Sequence, residues 1–148
     1  MSKIKKKLII VNLILLFFFS NYLYATSNFY IVTKVDNEII TNIDIVKEVN
    51  YLIALNNDLK KIDKKSLVSL ARDSLIKEKV KMNEINKYYG SNIEVKEDVL
   101  KSIIQNYYTN FKLKNLDEFK YYLSKYDLEL EDIEEKIKIE ILWNKRVY

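Results

Sequence analysis

The chain has 148 residues, with no Cys, no His, no Pro and a single Gly. Without thiols or imidazoles, Ser-His-Asp and Cys-His catalysis and the usual zinc sites are excluded, while the length still suffices for one domain with its own core. The formal charge of +4 is carried by Lys3, Lys5, Lys6 and Lys7; from Thr26 onward acids and bases balance and alternate along the chain. That leaves no basic excess for a phosphate backbone, so no nucleic-acid partner is expected.

Residues 1–25 open with lysines and continue into an apolar run, Leu8–Phe19, broken only by Asn12. Such a run is shorter than the ~20 residues a spanning helix needs. With Ala25 as a small residue behind it, the segment reads as a secretory signal peptide that sends residues 26–148 to the periplasm. An uncleaved inner-membrane anchor extending through Tyr24 is the competing reading. On either, residues 1–25 are the chain's only membrane contact.

The first folded segment is Phe29–Ile40. Asp36-Asn37 between β-branched runs predicts a tight hairpin turn. Thr41 is placed to cap the helix that follows, with Asp44 in its first turn. Val46, Val49, Leu52 and Ile53 recur at helical spacing over Asn42–Asn56. Asn57–Lys65 is polar and reads as a loop. A long helix is predicted from Ser66 to Tyr89, with Val68, Ala71, Leu75, Met82, Ile85 and Tyr89 on one stripe that Glu78 interrupts. Gly90 stands where a helix end calls for positive φ.

A third helix is predicted from Val95 to Phe111, on the pairs Val99-Leu100, Ile103-Ile104 and Tyr107-Tyr108. Asn115 caps a short fourth helix carrying Leu116, Phe119, Leu123 and Tyr126 on one face. The fifth starts near Leu130 with acids and ends with Lys145 and Arg146, which suits the helix dipole. Leu130, Ile133, Ile137 and Ile141 form its first apolar strip, and Ile139, Leu142, Trp143 and Val147 a second. The acids Glu131, Asp132, Glu134 and Glu135 read as a solvated helix start, so no metal or other cofactor is expected. The fold expected is mainly α, an N-terminal β-hairpin followed by about five helices.

Val35, Asn37, Ile39, Ile40, Thr41, Asp44 and Ile45 stand at the positions of a hairpin-to-helix pattern that opens the N-terminal module of the SurA-type periplasmic chaperones. Val95-Lys96-Glu97-Asp98-Val99-Leu100 and Asn115-Leu116-Asp117-Glu118-Phe119 fill two later helix starts of that module, and Ile133–Val147 is similar to its last helix. The resemblance spans Ile31 to Val147 and rests on hydrophobic and capping positions. It departs from the family at Tyr148, where a parvulin-type isomerase domain would begin and does not. What the resemblance implies is an ATP-independent holdase for unfolded outer-membrane proteins, without the family's isomerase activity and so not an enzyme. The absent C-terminal segment leaves three readings: a minimal chaperone, a truncated chain, or a vacancy filled by a second copy, which would make a homodimer. A membrane-anchored assembly or scaffold factor with one fixed protein partner is the alternative function.

Three adjacent tyrosine pairs, Tyr88-Tyr89, Tyr107-Tyr108 and Tyr121-Tyr122, can each send one ring inward and leave one near solvent, because neighbours on a helix point about 100° apart. Rings that pack or lie at the domain edge are the plainer reading. As a group with Phe111, Phe119 and Trp143, these aromatics are the candidates for client contact. The residues singled out are Tyr107, Tyr108, Phe111, Phe119, Tyr122 and Trp143.

Overall fold

The computed structural model describes residues 28–90 and 94–147. The proposed signal peptide and the side chain of Val147 lie outside the described residues. Strands β1 (Ile31–Val35) and β2 (Glu38–Thr41) form an antiparallel hairpin. Five helices follow: α1 (Asn42–Leu55), α2 (Lys64–Tyr89), α3 (Glu97–Asn110), α4 (Leu116–Ser124) and α5 (Leu130–Val147), with a 3-10 turn at Asn57–Lys61 between α1 and α2. The mainly helical architecture with an N-terminal hairpin agrees with the reading of the sequence.

The hairpin turns at Asp36, whose φ of 52° is a conformation Asp tolerates. The register slips by one residue between Ile31 and Thr33, leaving Val32 as a bulge. Thr41 and Asp44 close a reciprocal capping box. The Asp44 amide donates to Thr41 Oγ1 at 3.2 Å, and the Thr41 amide donates to Asp44 Oδ2 at 2.7 Å. Asn42 ties the chain just before the hairpin to the start of α1. Its Oδ1 accepts from the Tyr30 amide at 2.9 Å, and its Nδ2 donates to the Asn28 carbonyl at 2.8 Å.

Helix α2 starts at Lys64, two residues before the predicted position, because Asp63 is its cap: Oδ1 accepts from the Ser66 amide at 3.0 Å. The polar stretch 57–65 thus holds a 3-10 turn and a helix start. Polarity marks solvent exposure but carries no hydrogen-bond register. Ala71, Leu75 and Ile85 of α2 are buried as expected and Val49 and Leu52 of α1 pack against a buried cluster, but the first position of each expected face is displaced by one residue. Ile45 and not Val46 is buried on α1, and Leu67 and not Val68 on α2.

Gly90 ends α2 at φ 70°, ψ −155°, a backbone region essentially reserved for glycine. Helix α3 ends in a Schellman motif built on a lysine: Lys112 has φ 59°, Leu113 N donates to the Tyr108 carbonyl and Lys112 N to that of Thr109, both at 2.9 Å. Asp127, at φ 53°, takes the corresponding place after α4, with Leu128 N donating to the Leu123 carbonyl at 3.2 Å.

Two apolar clusters hold these elements. The smaller joins Ile40, Ile45, Ala71 and Leu75, so it packs the hairpin against α1 and α2. The larger joins Ala54, Leu100, Ile104, Phe119, Leu123, Leu128, Leu130, Ile133 and Ile137, from the end of α1 and from α3, α4 and α5. Helix α1 contributes to both, and Glu48 lies between its two contributions.

Candidate functional site

Four of the six aromatic candidates are brought together, but as packing. Phe111 stacks on Phe119 at 6.3 Å between ring centroids and on Tyr122 at 5.2 Å, while Tyr108 meets Phe119 at 6.4 Å. The Tyr122 hydroxyl donates to the Ala54 carbonyl at 2.6 Å, pinning α4 to the end of α1. Tyr126 extends the cluster, donating to Asn57 Oδ1 at 3.1 Å and accepting from Lys60 Nζ at 3.2 Å. Phe119 is fully enclosed, so its place as a client contact is corrected: the i, i+4 row Phe119–Leu123 points both side chains into the core. Tyr108, Phe111 and Tyr122 are half-buried around it.

Among the described residues, neither Tyr107 nor Trp143 stacks on those four rings, although Tyr107 packs against the larger apolar cluster that holds Phe119. Burial first, and the Glu140 carboxylate next, raise the Tyr107 hydroxyl above the usual tyrosine range. Trp143 is half-buried near the end of α2, with the Lys81 ammonium 6.0 Å and the Arg146 guanidinium 5.8 Å from its ring centre. Of the tyrosine pairs, 88-89 and 121-122 split as expected, with Tyr88 and Tyr121 exposed and Tyr89 and Tyr122 half-buried. Tyr107 and Tyr108 are both half-buried, because α3 packs against α5 on one side and α4 on the other.

The charged site between the two apolar clusters has no counterpart among those candidates. Glu48 of α1 is 2% exposed. Its Oε1 accepts from Ser74 Oγ of α2 at 2.6 Å, and its Oε2 lies 2.7 Å from Lys136 Nζ of α5. The same ammonium pairs with Glu78 of α2 and sits 4.6 Å from the centre of the Tyr51 ring. Three helices therefore meet on one lysine, whose donors are directed at two carboxylates and a π face. An open cleft of about 210 Å³ adjoins the cluster and is lined further by Asp44, Lys47, Lys79 and Asp132. Asp132 is held by Lys47 at 2.5 Å, and Asp44 is committed to the capping box.

Burial opposes the charge on Lys136, but Glu78 and Glu48 outweigh it, and its ammonium is held above the usual lysine value. Tyr51 is also raised, by burial first and then by Tyr107 and Glu48. Burial and the neighbouring Tyr126 hydroxyl push Tyr122 up to about 12. All three shifts have one sign. Each group's contribution is complete below its unfolded pKa, roughly 10 for tyrosine and 10.4 for lysine, and is lost as pH climbs through the folded value. The urea midpoint is therefore expected to fall steeply only above about pH 10. A midpoint that drops between pH 8 and 9 would contradict this assignment.

Besides the Glu78 break in the α2 stripe, one further signal for the cluster is present in the sequence. Glu48 stands three residues after Ile45 and four before Leu52, a charge in the middle of an apolar helical row. Its lysine partner is 88 residues away and has no local mark.

A different surface carries the exposed apolar residues. Ile40 turns into the smaller cluster and its neighbour Ile39 turns out. Tyr30 and Ile31, bonded to the start of α1, are about as exposed as Val46, which keeps 61% of its surface. Ile43 precedes Val46 by three residues, on the same outer face of α1. Phe29, at the chain's entry to the hairpin, is exposed as well.

Among the described residues, no group of three or more His, Cys, Asp or Glu side chains is placed to hold a metal ion, and no helix is long and apolar enough to cross a membrane. No protein-family model, no curated protein and no solved structure matches the chain.

Proposed function

We propose that the protein is an ATP-independent periplasmic holdase that keeps unfolded outer-membrane proteins from aggregating. The observation that supports this reading is the apolar strip of Tyr30, Ile31, Ile39, Ile43 and Val46, left uncovered beside a core that closes without it. Exposed apolar side chains carried on one hairpin and the helix that follows it can bind polypeptide without reading a sequence. Burial at about 25 cal/mol per Å², set against the ordering of a floppy client, gives contacts that form and release readily. The bulge at Val32 and the charged Lys34 blunt the hairpin edge against strand addition, so side-chain contact and not backbone pairing is the mode of capture.

The chain comprising residues 26–148, in several-fold excess, is expected to suppress aggregation of a β-barrel protein diluted from urea. Ile43→Ser with Val46→Ser is expected to remove most of that activity while moving the urea midpoint little, since exposed substitutions change stability by about 0.5 kcal/mol or less. Unchanged suppression by the double variant would remove the strip from the mechanism, and no suppression by the parent chain would end the holdase reading. Retention of residues 1–25 in the mature protein would favour the anchored assembly factor instead.

A further inference from the structure

Asn57 and Lys60 stand on the 3-10 turn between α1 and α2, and Tyr126 lies just past the end of α4. These three side chains, 69 and 66 residues apart in the chain, meet at one phenol oxygen. The Tyr126 hydroxyl accepts from Lys60 Nζ at 3.2 Å and donates to Asn57 Oδ1 at 3.1 Å. The same ammonium lies 5.1 Å from the centre of the Tyr126 ring. Both hydrogen bonds are at the surface, where a reagent in water can reach the oxygen.

A second cation acts on the same phenol: the Lys125 ammonium, which also sits 4.5 Å from the centre of the Tyr121 ring. Among the described residues, neither Lys60 nor Lys125 pairs with a carboxylate, and Asp58, two residues before Lys60, is held by Lys61 at 2.6 Å. An ammonium that donates to a phenol oxygen, or stands near it, favours the phenolate. The Tyr122 hydroxyl first, then Lys60 and Lys125, hold the Tyr126 phenol below the usual tyrosine range, against the effect of burial. Tyr51, Tyr107 and Tyr122 are displaced the other way. A phenol that ionises more readily than its neighbours is the better nucleophile near neutral pH.

We propose that Tyr126 is a covalent modification site for activated acyl donors, and that its acylation releases the Asn57–Lys61 turn from α4. The phenol oxygen forms a bond to the acyl carbon with one of its electron pairs. The bond from that carbon to the leaving group breaks, and the leaving group departs with the bonding pair and takes up the phenolic proton through water. Lys60 keeps its own proton and stabilises the negative charge that develops on the oxygen. The ester oxygen that results has no hydrogen to donate to Asn57. It is also a poorer acceptor for Lys60, because the acyl carbonyl withdraws its lone pair. Neither step depends on the exposed apolar strip or on the holdase reading.

Acetylimidazole is the probe, followed on the purified protein by mass-spectrometric peptide mapping. Tyr126 is expected to gain acetyl at least about threefold faster than Tyr30, Tyr88 and Tyr121, although each of those keeps 60% or more of its surface. Hydroxylamine is expected to remove the label, as it does from a phenol ester and not from a lysine amide. Lys60→Met is expected to bring Tyr126 down to the rate of Tyr121 or below. Lys60→Arg should retain most of the rate, and Lys120→Met, an exposed change on α4, should leave it unaltered. A rate at Tyr126 no higher than that at Tyr121, or one that Lys60→Met leaves unchanged, overturns the site. In the acetylated protein the Leu59 and Ile62 amides, which close the turn on the Asn56 and Leu59 carbonyls, are expected to exchange hydrogen several-fold faster, and to return to the original rate after hydroxylamine. Unchanged exchange there overturns the release of the turn and leaves the reactive phenol standing.

Discussion

Replacing Lys136 by Met is expected to lower the stability of the fold by about 3–5 kcal/mol, because it strands the Glu48 carboxylate without its cation. Glu48 is 2% exposed, and Ser74 alone would remain to donate to it. Glu78 is in a different position, since its side chain keeps 22% of its surface and can return to water. The companion variant makes the argument specific. Glu48→Leu combined with Lys136→Met removes both buried charges and is expected to recover most or all of the loss, since buried ion pairs replaced by apolar side chains are commonly neutral or better. Urea denaturation of the single and double variants reads both numbers. A single variant within about 1 kcal/mol of the parent would show that water reaches Glu48, and the cluster would then be a surface feature.

Phe119→Ala carries a loss of the same size, about 3–5 kcal/mol, for a different reason. The ring is fully enclosed, stacked on Phe111 and flanked by Tyr108, and α4 has only Leu123 as a second fully buried anchor. Removing it leaves a cavity under three aromatic rings that stacking holds in place, so collapse recovers little of the lost contact. Tyr121→Ala, two residues away on the exposed face of the same helix, is expected to change the urea midpoint by less than about 0.5 kcal/mol equivalent. Near-equal effects of the two substitutions would mean that α4 does not pack as described.

These two sites mark where sequence reading succeeds and where it stops. The hairpin turn at Asp36, the Thr41–Asp44 cap, the Asn115 cap and the end of α2 at Gly90 are all legible, because each depends on side chains within four residues of one another. The apolar faces are legible to within one residue only. On α1, Val46 and Ile45 are equally apolar, and only the position of Ile40 and Leu75 decides that Ile45 turns inward. The Glu48–Lys136–Glu78 cluster is not legible at all as a cluster. Its members lie on three helices, and nothing local to Lys136 distinguishes it from the other lysines of a charged chain. Glu78 does show as a break in the α2 stripe, which is what a charge facing a neighbouring helix looks like before the neighbour is known.

The aromatic candidates divide on the same principle. Adjacency on a helix predicts one ring inward and one outward in each tyrosine pair, and four of the six singled-out aromatics do meet. Whether a face is covered depends on what packs against it, and here the end of α1 covers it through the Tyr122–Ala54 hydrogen bond. The exposed residues of the hairpin and α1 are not legible for the converse reason. Val46 reads in the sequence as part of the apolar row of α1, and only the closed smaller cluster shows that the core is complete without it and without Ile39 and Ile43.

A methyl NMR titration of the isoleucine-labelled chain, residues 26–148, with an unfolded outer-membrane β-barrel held in dilute urea tests the proposed function most directly. Client capture by the outer strip predicts that the signals of Ile39 and Ile43 shift or broaden first, while those of Ile104 and Ile133, buried in the larger cluster, stay in place. An isoleucine spectrum unchanged at several-fold excess of the barrel would contradict it.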